Sequence, residues 1–438
     1  MARGILDAAI AAGDAGPLTR AAIERDGDRL VVAGRVGDAA RLRRILVLGV
    51  GKASGAMAAA AEGLFNDLPL DGLVVVKERR GALPRRVPTV EAGHPVPDAR
   101  GEAAADAILA LARSATADDL VVCLISGGGS ALAPVPVAGV SLAEKQTVTR
   151  LLLATGATIN ELNAVRKHLS RFKGGQLARA ATPAPVVALL LSDVVGDPLD
   201  VIASGPTAAD PTTFADALEV LDRFGLRERV PPPVRSHLEA GAAGRVAETP
   251  KPDDPALRAV VNRVIGNNAL VVDAAVAEAR RCGFSPLVLT RRLQGEAREA
   301  ARVFAAVLQD VAAVGQPIAP PACVIAAGET TVTVRGSGRG GRCQEFALAL
   351  ADQVAGLGRV AVLAAGTDGS DGPTDAAGAI VDGTTLARAR AAGIQPRAAL
   401  AQNDSHAFFS RLGDLVTTGP TGTNLMDLHV GLVGLPEN

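Results

Sequence analysis

Apolar, β-branched runs alternate with Ala/Leu/Arg-rich helical patterns through most of the chain, and this alternation restricts the fold more than any single motif. The apolar runs are continuous instead of alternating with polar residues, which is the pattern of strands buried on both faces. Candidate strands cover residues 45–48, 73–76, 120–125, 186–191, 263–265, 286–289, 322–325, 331–334, 360–363 and 415–417. Helical periodicity fills 52–65, 99–113, 142–153, 159–169, 268–281 and 295–311 between them. Strand–helix alternation of this kind predicts an α/β protein with mainly parallel sheets and helices on both faces.

A chain of 438 residues is too long for one ordinary core, so two or three domains are expected. Residues 231–255 hold PPP, GAAG and KPDDP, which break both periodicities. This places an N-terminal Rossmann-like α/β domain at 1–235 and a C-terminal α/β domain at 256–438. Trp and Tyr are absent, so the cores must pack from small aliphatic residues. The net charge is −1 and no long basic run occurs. With few aromatics to stack on bases, a nucleic-acid partner is not expected. Cys123, Cys282, Cys323 and Cys343 form no CxxC pair and no metal spacing. They read as reduced, mostly buried thiols of a cytoplasmic protein. The N-terminal MARGILDAAIAAGDAG carries an Asp inside a short apolar stretch, unlike a signal peptide. No apolar run reaches the length of about 18 residues that a membrane span needs. The expected particle is a monomer or homodimer without a membrane partner.

Eight segments carry candidate chemistry. In VLGVGKASGAM (47–57) a buried strand leads through Gly51 and Lys52 into a helix. This is neither the dinucleotide GxGxxG, because Ser54 replaces the third Gly, nor a Walker loop. A lysine at a helix start opposes the macrodipole, and a bound anion would resolve that conflict; a tight turn with a solvated lysine is the simpler alternative. In LISGGGSALAP (124–134) the strand ends at Ser126, followed by Gly127, Gly128, Gly129 and Ser130. Successive N–H groups in such a loop form an anion-binding nest; otherwise it is a flexible surface loop. Asn163, Arg166 and Lys167 lie three or four apart on one helix and share a face, as a ligand site or a solvated surface. His168 beside them reads as structural. Asp193 follows the strand at 186–191, where a carboxylate can act as a base or hold Mg²⁺. Asp197, Asp200 and SGPT (204–207) continue that segment as turns or polar contacts.

In the second half, Asn267 or Asn268 opens a helix after a strand, as an N-cap or a ligand contact. Glu329 stands at a strand end, and Arg339 and Arg342 lie among glycines before a helix, a pattern suited to clamping phosphate. Asp368, Asp371 and Asp375 follow another strand without the EF-hand spacing; Asp368 and Asp371 are candidate Mg²⁺ ligands or turn residues. Asn424 lies in the polar loop GPTGTNLMD (419–427) before a last strand. Glycine loops at strand ends, cations nearby and acids for Mg²⁺ together fit a phosphate-bearing ligand and phosphoryl transfer.

These segments, with GHPVPDARG (93–101), LNAVRKHLSRFKGG (162–175), LSDVVGDPLDVIASGPT (191–207), GETTVTVRGSGRGGRCQEFALA (328–349) and AAGTDGSDGPTDAAGA (364–379), resemble the glycerate 2-kinase family from about residue 40 to the C-terminus. The resemblance implies two α/β domains with the active site in the cleft between them. It also implies ATP-dependent, Mg²⁺-assisted phosphorylation of D-glycerate at the 2-hydroxyl. Carried over by motif, it puts Lys52 and Arg342 at the reacting centre, with Asp193 and Glu329 close by. Lys52 and Arg342 would neutralise the glycerate carboxylate or the γ-phosphoryl, and Gly127–Ser130 would cradle a phosphate or carboxylate. Asp193 would orient or deprotonate the 2-hydroxyl or hold Mg²⁺, with Glu329 as the alternative base. The family's Asn between Arg342 and Gln344 is Cys343 here, which weakens any role for that side chain.

Two other functions compete. Members of the family have often been labelled hydroxypyruvate reductases, but no GxGxxG followed by a distal acid is present to hold NAD(P)H. A non-catalytic sensor of a small organic anion would use the same glycines and cations. The acids at strand ends oppose that reading unless a metal accompanies the anion.

Overall fold

The computed structural model describes residues 1–435 and separates them into two compact units, 15–265 and 1–14 with 266–438. The division therefore falls after Ile265 and not inside 231–255. Two contacts account for this. Strand Val260–Gly266 completes the first sheet beside Val186–Leu191, so the 263–265 run belongs to the first unit and not the second. Helix Ala2–Ala12 buries Ile5, Leu6 and Ala9 and joins the second unit, where Arg3 donates to the carbonyl of Thr417 at 3.1 Å. Neither partner is near in sequence, so local composition carries no trace of the pairing.

The larger unit is built on a sheet of six strands, the first five of which, in spatial order, are parallel. Their spatial order is Thr89–Glu91, Leu70–Val76, Arg44–Val50, Asp119–Ile125, Val186–Leu191 and Val260–Gly266. Strands Asp119–Ile125 and Val186–Leu191 are buried at every position, as their unbroken apolar sequence requires. Helix Ala99–Arg113 lays Ala104, Ala105, Ile108, Leu109 and Ala112 against the core of this sheet. A second cluster joins helices Leu142–Ala154, Ile159–His168, Phe214–Arg223 and Pro232–Ala242 through Val148, Leu152, Leu162, Phe214 and Leu238. A small antiparallel sheet, Ile23–Asp26, Arg29–Val32 and Arg35–Asp38, precedes the six-stranded one.

In the smaller unit the sheet runs Ser285–Leu293, Ala322–Gly328, Asp427–Val433, Val360–Gly366, Gly378–Asp382 and Leu415–Val416. Only the first pair is parallel; every other pairing is antiparallel. The expectation of mainly parallel sheets thus holds for the first unit alone. Strand Asp427–Val433 inserts between two strands that precede it by many residues and runs against both. The run at 331–334 is not a strand: Thr331 makes one isolated bridge to Glu296. Among the described residues no helix is long and apolar enough to cross a membrane.

Candidate active site

The first sheet reverses its winding between Arg44–Val50 and Asp119–Ile125: chain order runs outward from the first strand on one side, then outward on the other. Loops leaving the carboxyl ends of those two strands stand at this switch point, which is where open α/β sheets bind ligands. They are Gly51–Ala53 and Ser126–Gly128, and they are tied together. Ser126 N–H donates to Val50 O at 3.1 Å, Lys52 N–H to Gly127 O at 2.9 Å, and Ala53 N–H to Ser126 Oγ at 3.0 Å. Ser54, in the place of a third glycine, is buried and donates to Leu124 O at 2.9 Å.

The glycines answer to specific contacts. Gly51 has φ 138°, and a Cβ there would lie 2.2 Å from Ser126 Oγ. Gly128 has φ 84°, and its Cβ would stand 3.0 Å from the His94 ring and 3.3 Å from Lys52 Cγ. Gly51 is thus fixed by loop-to-loop packing, whereas Gly128 turns the chain beside Lys52 and His94. His94 was not singled out among the sequence candidates; its only signal was membership of the GHPVPDARG stretch.

From Ser130 a hydroxyl chain runs into the core. Ser130 Oγ lies 2.6 Å from Ser204 Oγ, which donates to Asn163 Oδ1 at 3.0 Å, and Asn163 is buried. Arg166 shares the helix face of Asn163 one turn on. Two lysines stand near it: Lys145, which sequence reasoning passed over, and Lys173, at the exit of the same basic helix. Lys145 Nζ donates to Pro134 O at 3.0 Å and Lys173 Nζ to Ala133 O at 2.7 Å, both buried. Burial pushes Lys145 well below its ordinary pKa, and the Arg166 charge adds to that. Burial does the same to Lys173, reinforced by Lys145 and Arg166. Burial brings Arg166 down to about 10. Among the described residues no carboxylate lies within ion-pair distance of Lys145, Arg166 or Lys173, although the charge of Glu102 opposes the lowering of Lys145. Lys167, by contrast, is neutralised by Asp200 at 2.9 Å and Asp210 at 3.3 Å, and His168 bonds Ala164 O at 2.7 Å, both as structural groups. Asp193 is half-buried just past the end of strand Val186–Leu191.

In the smaller unit, Arg342 opens helix Arg342–Ala351 and is clamped by Asp427, through Nε at 2.5 Å and Nη2 at 2.9 Å, with Glu329 on Nη1 at 2.8 Å. Burial would lower the Arg342 pKa, but the charges of Asp427 and Glu329 outweigh it and raise the pKa. Asp427, buried in the strand register opposite Gly328 and Gly366, was not recognised in sequence because its partner is remote. The glycines before Arg342 serve packing. A Cβ at Gly336 would meet Gln402 at 2.4 Å, one at Gly338 would meet Asp404 at 2.4 Å, and one at Gly341 would meet Asp371 at 2.3 Å. Arg339 is exposed, and its Nη2 donates to Pro373 O at 3.1 Å.

Asp371 is not free to hold a metal. Its oxygens accept from Cys343 N at 3.0 Å, Gln344 N at 2.8 Å and Gln344 Nε2 at 2.9 Å, capping the helix start. Burial raises its pKa to about 6 against the pull of those donors. Asp368 turns an oxygen to Ser370 N at 2.9 Å. Asn267 caps helix Asn268–Arg281 through Leu270 N at 3.3 Å, whereas Asn268 Nδ2 is committed to Arg291 O at 2.6 Å. Asn424 is half-buried in its loop. No group of three metal-ligating side chains exists among the described residues. Single carboxylates such as Asp193 or Asp368 fit a Mg²⁺ carried in by phosphates, which needs only one or two protein ligands; a protein-built cage does not fit. Cys123 and Cys323 are pushed up to about 12 by burial, which excludes them as thiolate nucleophiles at neutral pH.

The strand order and its switch point define the first unit as an open, doubly wound α/β fold. Comparison with known proteins narrows the class. Residues 1–239 match the model described as a domain of unknown function, DUF4147, and residues 322–427 match the MOFRL family. The chain is 41% identical to a glycerate 2-kinase of Pyrococcus horikoshii, over 94% of this chain and 92% of that one. It is 44% identical to a D-glycerate 2-kinase of Thermotoga maritima, over 90% and 91%. An Agrobacterium vitis protein with a provisional hydroxypyruvate reductase name is 46% identical over 89% of this chain and 87% of its own length. The crystal structure of a Thermotoga maritima glycerate kinase superposes with a TM-score of 0.85 at 40% identity, covering 98% of each chain. The chain belongs to the glycerate 2-kinase family.

Proposed function

We propose that the protein transfers the γ-phosphoryl of ATP to the 2-hydroxyl of D-glycerate. The observation that carries this reading is identity of 41% and 44% to proteins named glycerate 2-kinases, across about nine-tenths of both chains. The absence of a GxGxxG turn at Gly49–Ser54 favours it over the reductase name that some relatives carry.

Phosphoryl transfer asks a protein for positioning and charge neutralisation. The Ser126–Ser130 loop would present backbone N–H groups, with Lys52 beside Gly128. Arg166 would receive the glycerate carboxylate or a phosphate, with Lys145 and Lys173 adding positive potential from behind. A buried charge without a counter-charge is costly, and an arriving anion would relieve that cost. Asp193 would accept the proton of the 2-hydroxyl or fix its direction. Glu329 is the weaker base, because its carboxylate is engaged by Arg342. Lys52 and Arg342 are the proposed neutralising groups, and Arg342 keeps its orientation through Asp427. Mg²⁺, held by Asp193 or Asp368 together with the nucleotide, would offset phosphate charge. Arg339, Asn268 and Asn424 lack a comparable physical argument.

Steady-state kinetics of Arg166→Gln with ATP, Mg²⁺ and D-glycerate provide the test. Expected is a rise of more than tenfold in KM for one substrate with helix content unchanged. An unaltered KM for both substrates would remove Arg166 from the site.

A further inference from the structure

At the other edge of the first sheet is a groove that the reaction does not use. Its volume is about 460 Å³, and its polar lining is Arg113, Ser170, Arg171, Gln176, Arg179 and Thr182. Arg113 ends the helix that leads back to the sheet, and the next residue, Ser114, accepts from Arg43 just before strand Arg44–Val50 begins. The groove therefore lies near the amino ends of the strands, roughly 20 Å along them from the glycine loops.

Three guanidinium groups face one groove, and two are held in place. Arg171 pairs with Asp106 at 2.7 Å and donates through Nε to Pro136 O at 2.8 Å. Arg179 pairs with Asp254 at 2.7 Å and donates to Glu248 O at 2.9 Å. Arg113 is exposed and makes no ion pair among the described residues. Arg171 and Arg179 each spend part of their fork on a carboxylate and a carbonyl, so an oxyanion would draw on their remaining N–H groups together with the exposed Arg113. The groove exceeds the size of a lone phosphate and leaves room for a small carbon skeleton.

We infer that this groove binds a small phosphate-bearing anion, and that its occupancy acts on the catalytic edge through residues 170–173. That short segment touches both places. Ser170 and Arg171 line the groove. On the other side, Arg171 N donates to Val135 O at 3.2 Å, Ser170 Oγ to Val135 O at 3.3 Å and Lys173 Nζ to Ala133 O at 2.7 Å. Residues 133–136 continue directly from the Ser126–Ser130 loop through the short helix Gly129–Leu132. An anion drawing on Arg171 competes with the carbonyl of Pro136 and also offsets the positive field that Arg171 imposes on Lys145.

Equilibrium dialysis with radiolabelled inorganic phosphate tests the site, and hydrogen exchange of residues 133–137 tests the relay. Wild-type protein and Lys52→Ala should both hold the groove-bound equivalent, Arg113→Glu should lose one equivalent, and Arg113→Lys should keep it. Phosphate should change exchange at 133–137 at least twofold in wild type and Lys52→Ala, and leave it unchanged in Arg113→Glu. Equal phosphate stoichiometry in wild type and Arg113→Glu would overturn the site. Loss of binding in Arg113→Glu without any exchange difference would overturn the relay. Repeating the dialysis with a phosphate ester as competitor identifies the preferred source: stronger displacement than by inorganic phosphate supports the ester, and weaker displacement overturns the inferred room for a carbon skeleton.

Discussion

The two glycine-rich loops look alike in sequence and differ in what surrounds them. Gly127–Ser130 and Gly336–Gly341 both follow buried strands and both lie close to basic residues. Around the first, Lys145, Arg166 and Lys173 form no ion pair among the described residues, and only the more distant Glu102 acts on Lys145. Around the second, Arg342 is matched by Asp427 and Glu329, and the glycines are consumed by contact with residues 402–405 and 371. Glycine alone therefore does not mark a ligand loop; the balance of charge behind it does. The first region has buried cations without an ion-pair partner among the described residues, and the second holds one arginine between two carboxylates.

Removing the arginine and the lysine should separate these roles most sharply. Arg342→Ala leaves Asp427 buried and unpaired, so a loss of about 3 kcal/mol in unfolding free energy is expected, in line with broken buried pairs, together with loss of activity. Lys52→Ala should lower kcat about 10²–10³-fold while denaturant midpoints stay within error of wild type. Equal destabilisation by both substitutions would erase the distinction between the loops.

Smaller effects are expected at the glycines. Gly128→Ala meets a left-handed backbone and should cost roughly 1–2 kcal/mol, and it should also raise KM because the new methyl group crowds His94 and Lys52. Gly341→Ala, at φ −140°, carries no backbone strain, and its methyl group instead meets the Asp371 carboxyl. Its damage should appear as a lower melting temperature with KM unchanged. A KM effect at Gly341 equal to that at Gly128 would restore a ligand role to the second loop.

The last effect is a pH dependence that arises in the second unit and is partly cancelled there. Burial lowers His429 from 6.5 to about 4 while Asp427 opposes the shift, and the ring packs on Phe346 with centroids 4.2 Å apart. A depressed histidine contributes stability above its unfolded pKa and loses it as pH falls from 6.5 through 4. The full window corresponds to about 3 kcal/mol as an upper bound. Asp371 has the opposite sign: raised to about 6, its contribution is present at low pH and is lost as pH rises through 6. The two partly cancel in wild type, so the measurement is the difference between wild type and His429→Leu. Thermal melts should show the variant gaining stability relative to wild type as pH drops from 6.5 to 4. Parallel curves would contradict the assignment.

The sequence revealed those features that are local. Continuous apolar runs marked four central strands of the first unit, Arg44–Val50, Leu70–Val76, Asp119–Ile125 and Val186–Leu191, but not its edge strand Thr89–Glu91, and helices Ala99–Arg113 and Asn268–Arg281 have the limits their periodicity implies. Long-range pairing was hidden. Nothing near Arg342 announces Asp427, nothing near Ala2–Ala12 announces its place in the second unit, and strand Asp427–Val433 gives no sign that it runs against both neighbours. Lys145 looked like an ordinary helix lysine and Lys173 like one charge of a basic, solvated run, because burial is a property of the assembled core. Asp371 looked like a metal ligand because an acid after a strand serves equally well to cap a helix that packs beside it.

Phosphorus NMR of the purified protein with D-glycerate, ATP and Mg²⁺ tests the central claim most directly. The expected result is a 2-phosphoglycerate resonance that grows in step with ADP. A 3-phosphoglycerate resonance, or no new phosphorus species at all, would contradict it.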